Sequence, residues 1–281
     1  MNAEVGMKRQ DIADHYLKDL QLQACDAAKN EEAIEFLKQL QSRHVATHSF
    51  NSLGVVMGGE LSLALEDLYQ KIVLNRRGGY CFEHNKLIYE VLEELGFKVQ
   101  LSLARVTYNR EVDAPRTHRI TLVTVGSDTY VVDGGFGHLG ARFPVKLECG
   151  VSQPQGNESF RIVEKDRGHY CFQTLKEGEF FTLYTFDRNT YTDSDCLLGH
   201  FYSHRHPDAA FVNNLVVSRK FSDCIHSLRN GDFHVIRENE TSVTQLADRD
   251  ALHEVLTETF ELEVNVAVSG FLFSKFIAQQ S

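Results

Sequence analysis

A cysteine, a histidine and an aspartate stand where they could carry out nucleophilic chemistry together. Cys81 lies in RRGGYCFEHN, His118 in PRTHRITLV and Asp133 in VVDGGFG. A thiolate attacks carbonyl carbon, an imidazole takes up the thiol proton, and a carboxylate orients the imidazole. The three residue types therefore predict nucleophilic catalysis by the cysteine, provided that the fold brings them together.

The segment around Cys81 predicts a tight turn that leads into a helix. Gly78 and Gly79 permit a backbone path with positive φ, and Gly96 is a suitable helix terminator. Apolar residues recur at helical spacing after the cysteine, at Leu87, Ile88, Val91, Leu92 and Leu95. A cysteine at a helix N-terminus lies at the positive end of the helix dipole, which favours the thiolate and lowers the thiol pKa.

His118 and Asp133 belong to two segments that read as a β-hairpin. HRITLVTVG and TYVVDGG are rich in β-branched residues, and Gly126-Ser127-Asp128 between them is typical of a turn. Antiparallel strands bring their distant ends together, so we expect His118 and Asp133 to be neighbours. Taken singly, each residue has a simpler interpretation, as a small buried hydrophobe, a strand-end histidine and a turn aspartate.

The remaining pattern predicts an α+β fold. Amphipathic helical stripes dominate the first 95 residues, and antiparallel strands follow up to residue 187. A mixed region, further strands within 215–239, a helical stretch near 250–260 and a short apolar ending at 271–277 complete the chain. This order differs from the strict alternation of parallel-sheet proteins, and 150–157 is the best candidate for a loop.

Composition narrows the class of protein. The chain has 281 residues, 42% of them apolar, and a formal net charge of −10, which argues against a general nucleic-acid binder. No apolar run suits a signal peptide or a membrane span, so we expect no membrane partner. Six scattered cysteines without a CxxC pair predict reduced thiols and a cytoplasmic protein, with neither a disulfide scaffold nor a zinc module.

Over nearly its whole length the sequence resembles the arylamine N-acetyltransferases. The three segments around Cys81, His118 and Asp133 carry the resemblance in their order and spacing. Three further stretches match family motifs: HYLKDLQL, HSFNSLGVVMGGELSLALEDLYQKIV and LLGHFYSHRHPDAAFVNNLVVSR.

The resemblance implies a fold of three parts. Residues 1–95 would form an N-terminal helical bundle that carries the cysteine. Residues 96–190 would form a central antiparallel β-barrel that carries the histidine and the aspartate, and 191–281 a C-terminal α/β lid. The first two parts would share the catalytic core of papain-like and transglutaminase enzymes.

The resemblance also implies the reaction. Cys81, His118 and Asp133 would form a catalytic triad that takes an acetyl group from acetyl-CoA, the co-substrate, and passes it to an arylamine or arylhydrazine. The family's role in xenobiotic metabolism and its O-acetylation of N-hydroxyarylamines would extend to this chain, and no metal would be required.

Further residues inherit expected roles from the matched motifs. Arg77 would hold its loop by pairing with carboxylates, and Asn85 would make a local hydrogen bond. Phe136 would line the acceptor pocket. Thr117, Gly137 and Tyr202 would contact substrate or coenzyme. Candidate cations for the CoA phosphates are Arg205, Arg219 and Lys220.

The chain departs from the family pattern at two places. The motif Pro-Phe-Glu-Asn-Leu is here Ser49-Phe50-Asn51-Ser52-Leu53, and His138 replaces the usual glycine after GFG. The first change is expected to alter loop packing near the site, and the second to alter the acceptor pocket and substrate preference.

The residues alone leave alternatives open. The same triad would serve a papain- or transglutaminase-like enzyme that acts on amides, and a non-enzymatic module could bind acyl-CoA or aromatic ligands. A metal site is a weaker hypothesis, because Cys81 with His84 and His204 with His206 lack further ligands at recognisable spacing. We expect His84 to be a solvated or packing residue on its helix, and His204 and His206 to be loop residues near the pocket mouth.

Overall fold

Helices dominate the chain up to residue 94. The structure is a computed structural model that describes residues 7–238 and 240–278. The first elements are α1 (Arg9–Asp19), α2 (Asn30–Thr47), β1 (Phe50–Asn51), α3 (Leu53–Val56), α4 (Leu65–Leu68), which continues as a π-helical turn over Tyr69–Leu74, and α5 (Cys81–Glu94). The apolar stripes of α1, α2 and α5 share one core, as amphipathic helices of this length require for stability.

Eight antiparallel strands follow and curve into a nearly closed barrel. They are β2 (Lys98–Val106), β3 (Arg116–Val125), β4 (Asp128–Val132), β5 (Val145–Lys146), β6 (Gln153–Gln155), β7 (Glu158–Asp166), β8 (His169–Lys176) and β9 (Glu179–Asp187). Their spatial order is β5-β4-β3-β2-β9-β8-β7-β6. The predicted hairpin is confirmed, since Val125 of β3 pairs with Asp128 of β4 across a two-residue turn.

Strand β3 is buried on both faces because its alternate side chains enter different cores. Ile120 and Leu122 pack into the barrel core, whereas Val123 and Val125 join the helical core. Successive side chains of a strand point to opposite faces, so His118 shares the face of Ile120 and Leu122. The strand thereby directs His118 toward the barrel interior.

Two glutamines close the barrel between its edge strands β5 and β6. The backbone N–H of Phe143 donates to Gln155 Oε1 (2.8 Å), and Gln155 Nε2 donates to the Phe143 carbonyl (3.0 Å). Gln153 makes the same two-way contact with the backbone of Lys146, at 2.8 Å in both directions. The side-chain amides thus replace the backbone ladder where the two edges meet.

The rest of the chain forms a second sheet and its covering helices. The elements are α6 (Asp193–Arg205), α7 (Ala210–Asn213), β10 (Val216–Lys220), β11 (Ile225–Arg229), β12 (Asp232–Ile236), β13 (Thr241–Gln245), α8 (Arg249–Glu254), which continues as a π-helical turn over Val255–Thr259, and α9 (Val266–Phe276). The sheet order is β1-β10-β11-β12-β13, so the short β1 from the helical part forms one edge. The α+β class is confirmed, and the division at 95 and 190 stays a prediction.

One local expectation was wrong, and the structure defines two segments to which the sequence assigned no element. The predicted loop at 150–157 contains β6, whose pairing depends on glutamine side chains rather than on an apolar pattern. The apolar ending belongs to α9, which begins after the cap Asn265, whose side chain accepts from the Val268 N–H at 2.9 Å. The mixed region holds α6, whose weak amphipathic pattern hid it from the sequence.

Residues 1–6 of the predicted helical part, and residues 239 and 279–281 of the predicted lid, lie outside the described residues. Within the described ranges no helix is both long and apolar enough to cross a lipid bilayer.

Replacing Gln155 by glutamate should open the barrel seam. The carboxylate would face the Phe143 carbonyl without a donor, so we expect the free energy of unfolding to fall by about 1–3 kcal/mol. The same change at exposed Gln70, whose side chain has no such contact with any residue that the structure describes, should stay within about 0.5 kcal/mol of the parent. Urea denaturation of both variants measures the free energies of unfolding. Equal free energies for the two variants would show that Gln155 does not stabilise the closure of the barrel.

Candidate active site

Cys81 is the first residue of α5, at the end of a turn that only glycine can form. Gly78 has φ +57°, and a Cβ there would lie 2.1 Å from the Ser49 carbonyl oxygen and 2.4 Å from Asn51 Nδ2. The helix start is closed by Glu83, which accepts from the Tyr80 N–H at 3.1 Å. The predicted turn and helix start are therefore present as the sequence indicated.

The sulfur of Cys81 lies against the strand that carries His118. Sγ is 3.5 Å from the Thr117 carbonyl oxygen, and the Arg119 backbone also hydrogen-bonds the sulfur. Thr117 is an extra residue in β3, because the register with β2 shifts between Ala104–His118 and Arg105–Arg116. Bulges of this kind redirect side chains beside active sites, and this one brings the residues on both sides of His118 to the thiol.

The electrostatic environment of the thiol differs from the expectation. Cys81 is only 3% exposed, and burial, with the negative charge of Asp133, raises its thiol pKa. Hydrogen bonds from the Arg119 and Phe82 backbones oppose this effect without reversing it. The prediction of a lowered thiol pKa was wrong, because burial outweighs the favourable helix end.

His118 and Asp133 are neighbours, as the hairpin predicted. His118 Nε2 and Asp133 Oδ2 are 2.7 Å apart, and both side chains are almost fully buried. An ionised carboxylate can only accept, so Nε2 carries a hydrogen, and in the neutral form of the ring Nδ1 is the nitrogen with the lone pair. The ring packs edge-on against Phe136 with 5.0 Å between centroids.

A shell of donors stabilises the Asp133 carboxylate. Asn85 Nδ2 donates to Oδ1 at 2.8 Å, and the Gly135 N–H donates to the same atom at 3.1 Å. Burial alone would raise the pKa of Asp133, but the His118 ring and these donors lower it below its usual value. Gln41 supports the turn by accepting from the Asp133 N–H at 3.1 Å.

Aromatic rings surround the space beside His118. Phe136 contacts Tyr108 and Tyr184 with centroid distances of 6.0 and 5.3 Å, and Tyr184 also lies 5.0 Å from His118. A small cavity beside Asp133 is lined by Phe136, Gly137 and Phe50, among others. Phe136 and Gly137 therefore lie next to His118 and Asp133, and their contact with a substrate stays a prediction.

The loop before Cys81 is not held by Arg77. The Arg77 side chain is exposed and makes no ion pair within 7–238 and 240–278, whereas the neighbouring Arg76 pairs with Asp19. Asn51, which replaces the motif glutamate, secures the loop by donating from Nδ2 to the Arg77 carbonyl at 3.0 Å. The predicted role of Arg77 was therefore wrong, since an amide bonded to the backbone performs it.

The basic candidates for coenzyme binding divide into two groups. Arg219 and Lys220 are buried: Arg219 donates to the Ala46 carbonyl at 2.7 Å, and Lys220 donates to Glu158 at 2.7 Å. Both are occupied by structural contacts and are poor phosphate ligands. Arg205 is exposed and donates to the Gly58 carbonyl at 3.1 Å.

The departure at residue 138 places an imidazole on the residue after Gly137, which lines the cavity. Burial, reinforced by Lys220, lowers the pKa of His138 to about 4, so the ring is neutral near pH 7. Tyr202, expected to contact ligand, stacks on His206 at the end of α6, with centroids 4.5 Å apart.

The histidines considered for a metal site have other positions. His84 is fully buried, so the solvated interpretation was wrong. His204 lies in α6 rather than in a loop, and His206 caps that helix. In the portion of the chain that the structure describes, no three His, Cys, Asp or Glu side chains converge as metal ligands.

Three supporting residues escaped the sequence reasoning. Gln41, Tyr108 and Tyr184 reach the site from α2, from the loop after β2 and from β9. Their only local signal is an ordinary position on an apolar stripe or strand, and the contacts arise from tertiary packing.

Comparisons with known proteins identify relatives of this chain. A family model described as N-acetyltransferase matches residues 33–268. The arylamine N-acetyltransferase of Escherichia coli K12 is 31% identical over 264 residues, covering 92% of each chain. A Salmonella typhimurium relative, named arylamine N-acetyltransferase / N-hydroxyarylamine O-acetyltransferase, is 29% identical over 249 residues, covering 87% of this chain and 88% of its own.

A solved structure extends the similarity to the fold. The Mycobacterium marinum arylamine N-acetyltransferase in complex with CoA superposes with a TM-score of 0.86 at 29% identity, covering 94% of this chain and 99% of the other. The class is thus an N-acetyltransferase with an α+β fold. More narrowly, the chain belongs to the arylamine N-acetyltransferase family and is an acyltransferase.

Substituting Gly78 should test the turn that presents Cys81. We expect Gly78→Ala to lower the free energy of unfolding by about 3 kcal/mol or more, because backbone strain and a clash combine. Gly58→Ala is the matched control, since Gly58 has φ +74° but open space around it, and it should cost about 1 kcal/mol. Equal losses in denaturant titrations would show that the close approach to Ser49 is unimportant.

Proposed function

We propose that this enzyme transfers an acetyl group from acetyl-CoA to aromatic amines and hydrazines through an acetyl-Cys81 intermediate. Family membership supports the reaction class. The CoA complex of the M. marinum relative supports acetyl-CoA as co-substrate, and the name of the S. typhimurium relative supports O-acetylation of N-hydroxyarylamines as a second activity.

One observation carries the proposal: the His118–Asp133 hydrogen bond lies where β3 contacts the Cys81 sulfur. With Nε2–H directed to Asp133, the other ring nitrogen of His118 is available as a base. A thiol, a neutral imidazole and an orienting carboxylate together are sufficient for nucleophilic acyl transfer.

The first half-reaction acetylates the cysteine. The Cys81 sulfur attacks the thioester carbonyl while its proton passes to His118, and the carbon–sulfur bond to CoA then breaks. The departing thiolate of CoA takes the proton from His118 and leaves as a thiol. The Cys81 backbone N–H, which has no intrahelical acceptor in the first turn of α5, is our candidate donor to the oxyanion.

The second half-reaction returns the enzyme to its starting state. The amine attacks the acetyl carbonyl, His118 accepts the amine proton, and the Cys81 sulfur leaves and recovers that proton. Two half-reactions through one covalent intermediate require ping-pong kinetics.

Burial of the thiol is the reason that this mechanism starts from a thiol rather than a thiolate. Because burial raises the pKa of Cys81, we infer that the resting thiol is protonated and that proton transfer to His118 accompanies the attack. The helix end and the Arg119 backbone then stabilise the sulfur as charge develops on it.

The surroundings of the site indicate the kind of acceptor. Phe136, Tyr108 and Tyr184 present flat apolar surfaces next to His118, which suits an aromatic amine better than an aliphatic one. We also propose a cytoplasmic location, which the six free thiols of the structure support. A role in xenobiotic metabolism is proposed from the family resemblance.

Mass spectrometry of the intermediate tests the proposal. After mixing with acetyl-CoA, the protein should carry one added acetyl group on Cys81, and an arylamine should remove it as the N-acetyl product. Cys81→Ala should remain unmodified, whereas the matched variant of another buried thiol, Cys196→Ala, should be modified normally. Acetyl on a different cysteine would refute the assignment, and loss of the acetyl group to water alone would favour a hydrolase.

Asp133→Asn tests how the histidine is oriented. An amide would no longer enforce the Nε2–H form of His118, so we expect acetylation of Cys81 to slow by about 100-fold or more. Asp128→Asn, at an exposed ion pair at the start of β4, should leave the rate unchanged. Rates per folded molecule, measured by quenched mass spectrometry, decide the outcome, and a folded, fully active Asp133→Asn would remove Asp133 from the mechanism.

A further inference from the structure

Beneath the turn that carries Cys81 lies a buried chain of hydrogen bonds that the proposed mechanism does not use. Tyr16 Oη is 2.7 Å from His44 Nδ1, and His44 Nε2 is 2.8 Å from His84 Nδ1. His84 Nε2 lies 3.1 Å from the Gly79 carbonyl oxygen and 3.3 Å from the Ser49 carbonyl oxygen. Tyr16, His44 and His84 are each fully buried.

The contact of His84 with the two carbonyl oxygens determines the direction of donation along the whole hydrogen-bond chain. Carbonyl oxygens only accept, so His84 Nε2 must carry a hydrogen. A neutral His84 then offers Nδ1 as an acceptor, and His44 must donate to it from Nε2. His44 Nδ1 is left to accept from the Tyr16 hydroxyl, so every polar atom is satisfied in a single arrangement.

An added proton would break this arrangement. A hydrogen on His84 Nδ1 would face the His44 Nε2–H, and one on His44 Nδ1 would remove the acceptor of the buried Tyr16 O–H. Burial lowers the pKa of His84 to about 3 and that of His44 well below its usual value, in keeping with two neutral rings.

The hydrogen-bond chain contacts the backbone beside Cys81 and the backbone beside Asp133. His84 binds the carbonyl of Gly79, two residues before Cys81. A Cβ on Gly134 would lie 2.9 Å from His44 Cδ2, so the His44 ring packs directly against the residue after Asp133. Two adjacent imidazoles therefore support the turn of the nucleophile and the turn of the carboxylate.

We propose that His84 and His44 are positioning residues that fix the Cys81 turn relative to Asp133 through their one-way hydrogen-bond chain. This inference rests on the proposed function, because it concerns the rate at which Cys81 is acetylated. Neither ring touches the reacting atoms. Their contribution is geometric, since the His84 Nε2–H, together with the Asn51 N–H at 2.6 Å, holds the Gly79 carbonyl two residues before α5 begins.

Substitutions at His84 separate positioning from simple packing. His84→Phe keeps a ring but removes the donor to Gly79, whereas His84→Gln restores an N–H at the place of Nε2. We expect the rate of Cys81 acetylation to fall by about 30-fold in His84→Phe, given the sensitivity of such reactions to small displacements. His84→Gln should recover to within about threefold of the parent. His15→Phe, at an exposed histidine of the same helical part, should have the parent rate.

Rates are measured by quenched mass spectrometry on folded protein, well below each variant's unfolding midpoint. An unchanged rate in His84→Phe overturns the proposal, as does an equal loss in His84→Phe and His84→Gln, which would indicate packing alone. A parent enzyme that never acetylates Cys81 would refute the proposed function instead.

Nitrogen NMR of the parent protein provides a measurement that does not depend on activity and decides the matter if His84→Phe does not fold. Both His44 and His84 should appear at pH 7 as neutral rings with the hydrogen on Nε2. A charged ring, or a hydrogen on Nδ1 of either residue, would overturn the chain on which the inference depends.

Discussion

The hydrogen bond between His118 and Asp133, made almost without water, is the constraint on which the rest of the site depends. A buried carboxylate is costly unless donors surround it, and the structure supplies His118, Asn85 and the Gly135 N–H. These donors come from a strand, a helix and a turn. The Asp133 carboxylate therefore joins α5 to the β3–β4 hairpin. Because the carboxylate must accept all of these hydrogen bonds, it fixes how the helix packs against the hairpin.

The same constraint explains why the barrel and the helices meet at β3. That strand has no solvent face, because its alternate side chains enter the barrel core and the helical core. A bulge at Thr117 interrupts it at the one place where the strand must approach a helix N-terminus. Regular pairing up to His118 orients the imidazole toward Asp133, and the irregular residue beside it brings the backbone to the sulfur.

Much of this arrangement could be predicted from the sequence, because it depends on local signals. The glycines before Cys81 require a turn, the apolar spacing after it requires a helix, and the hairpin turn at Gly126 brings His118 to Asp133. Contacts with no periodic pattern could not be predicted. The closure of the barrel by Gln153 and Gln155 depends on which edges meet in space.

The loop before Cys81 is a second example of a contact that the sequence could not predict, because Asn51 holds it rather than Arg77. An arginine beside the cysteine motif suggests an ion pair, yet an amide from a distant segment satisfies the loop carbonyl, and nothing local to either residue indicates it. The pKa of Cys81 failed as a prediction for a related reason. The helix end that favours a thiolate is readable from sequence, whereas the extent of burial that opposes it is a property of the assembled fold.

That burial has a chemical consequence within the proposed mechanism. If Cys81 rests as a thiol with 3% exposure, as proposed, we expect it to react slowly with oxidants and alkylating agents, since the thiolate is the reactive form and access limits it further. The thioester brings a carbonyl that accepts the sulfur's electrons at the moment when His118 takes the proton. Ionisation is thereby coupled to the presence of the acyl donor. The neutral His44–His84 pair agrees with this mechanism. It supports the turn before Cys81 without adding a charge that would change how the proton is shared between Cys81 and His118.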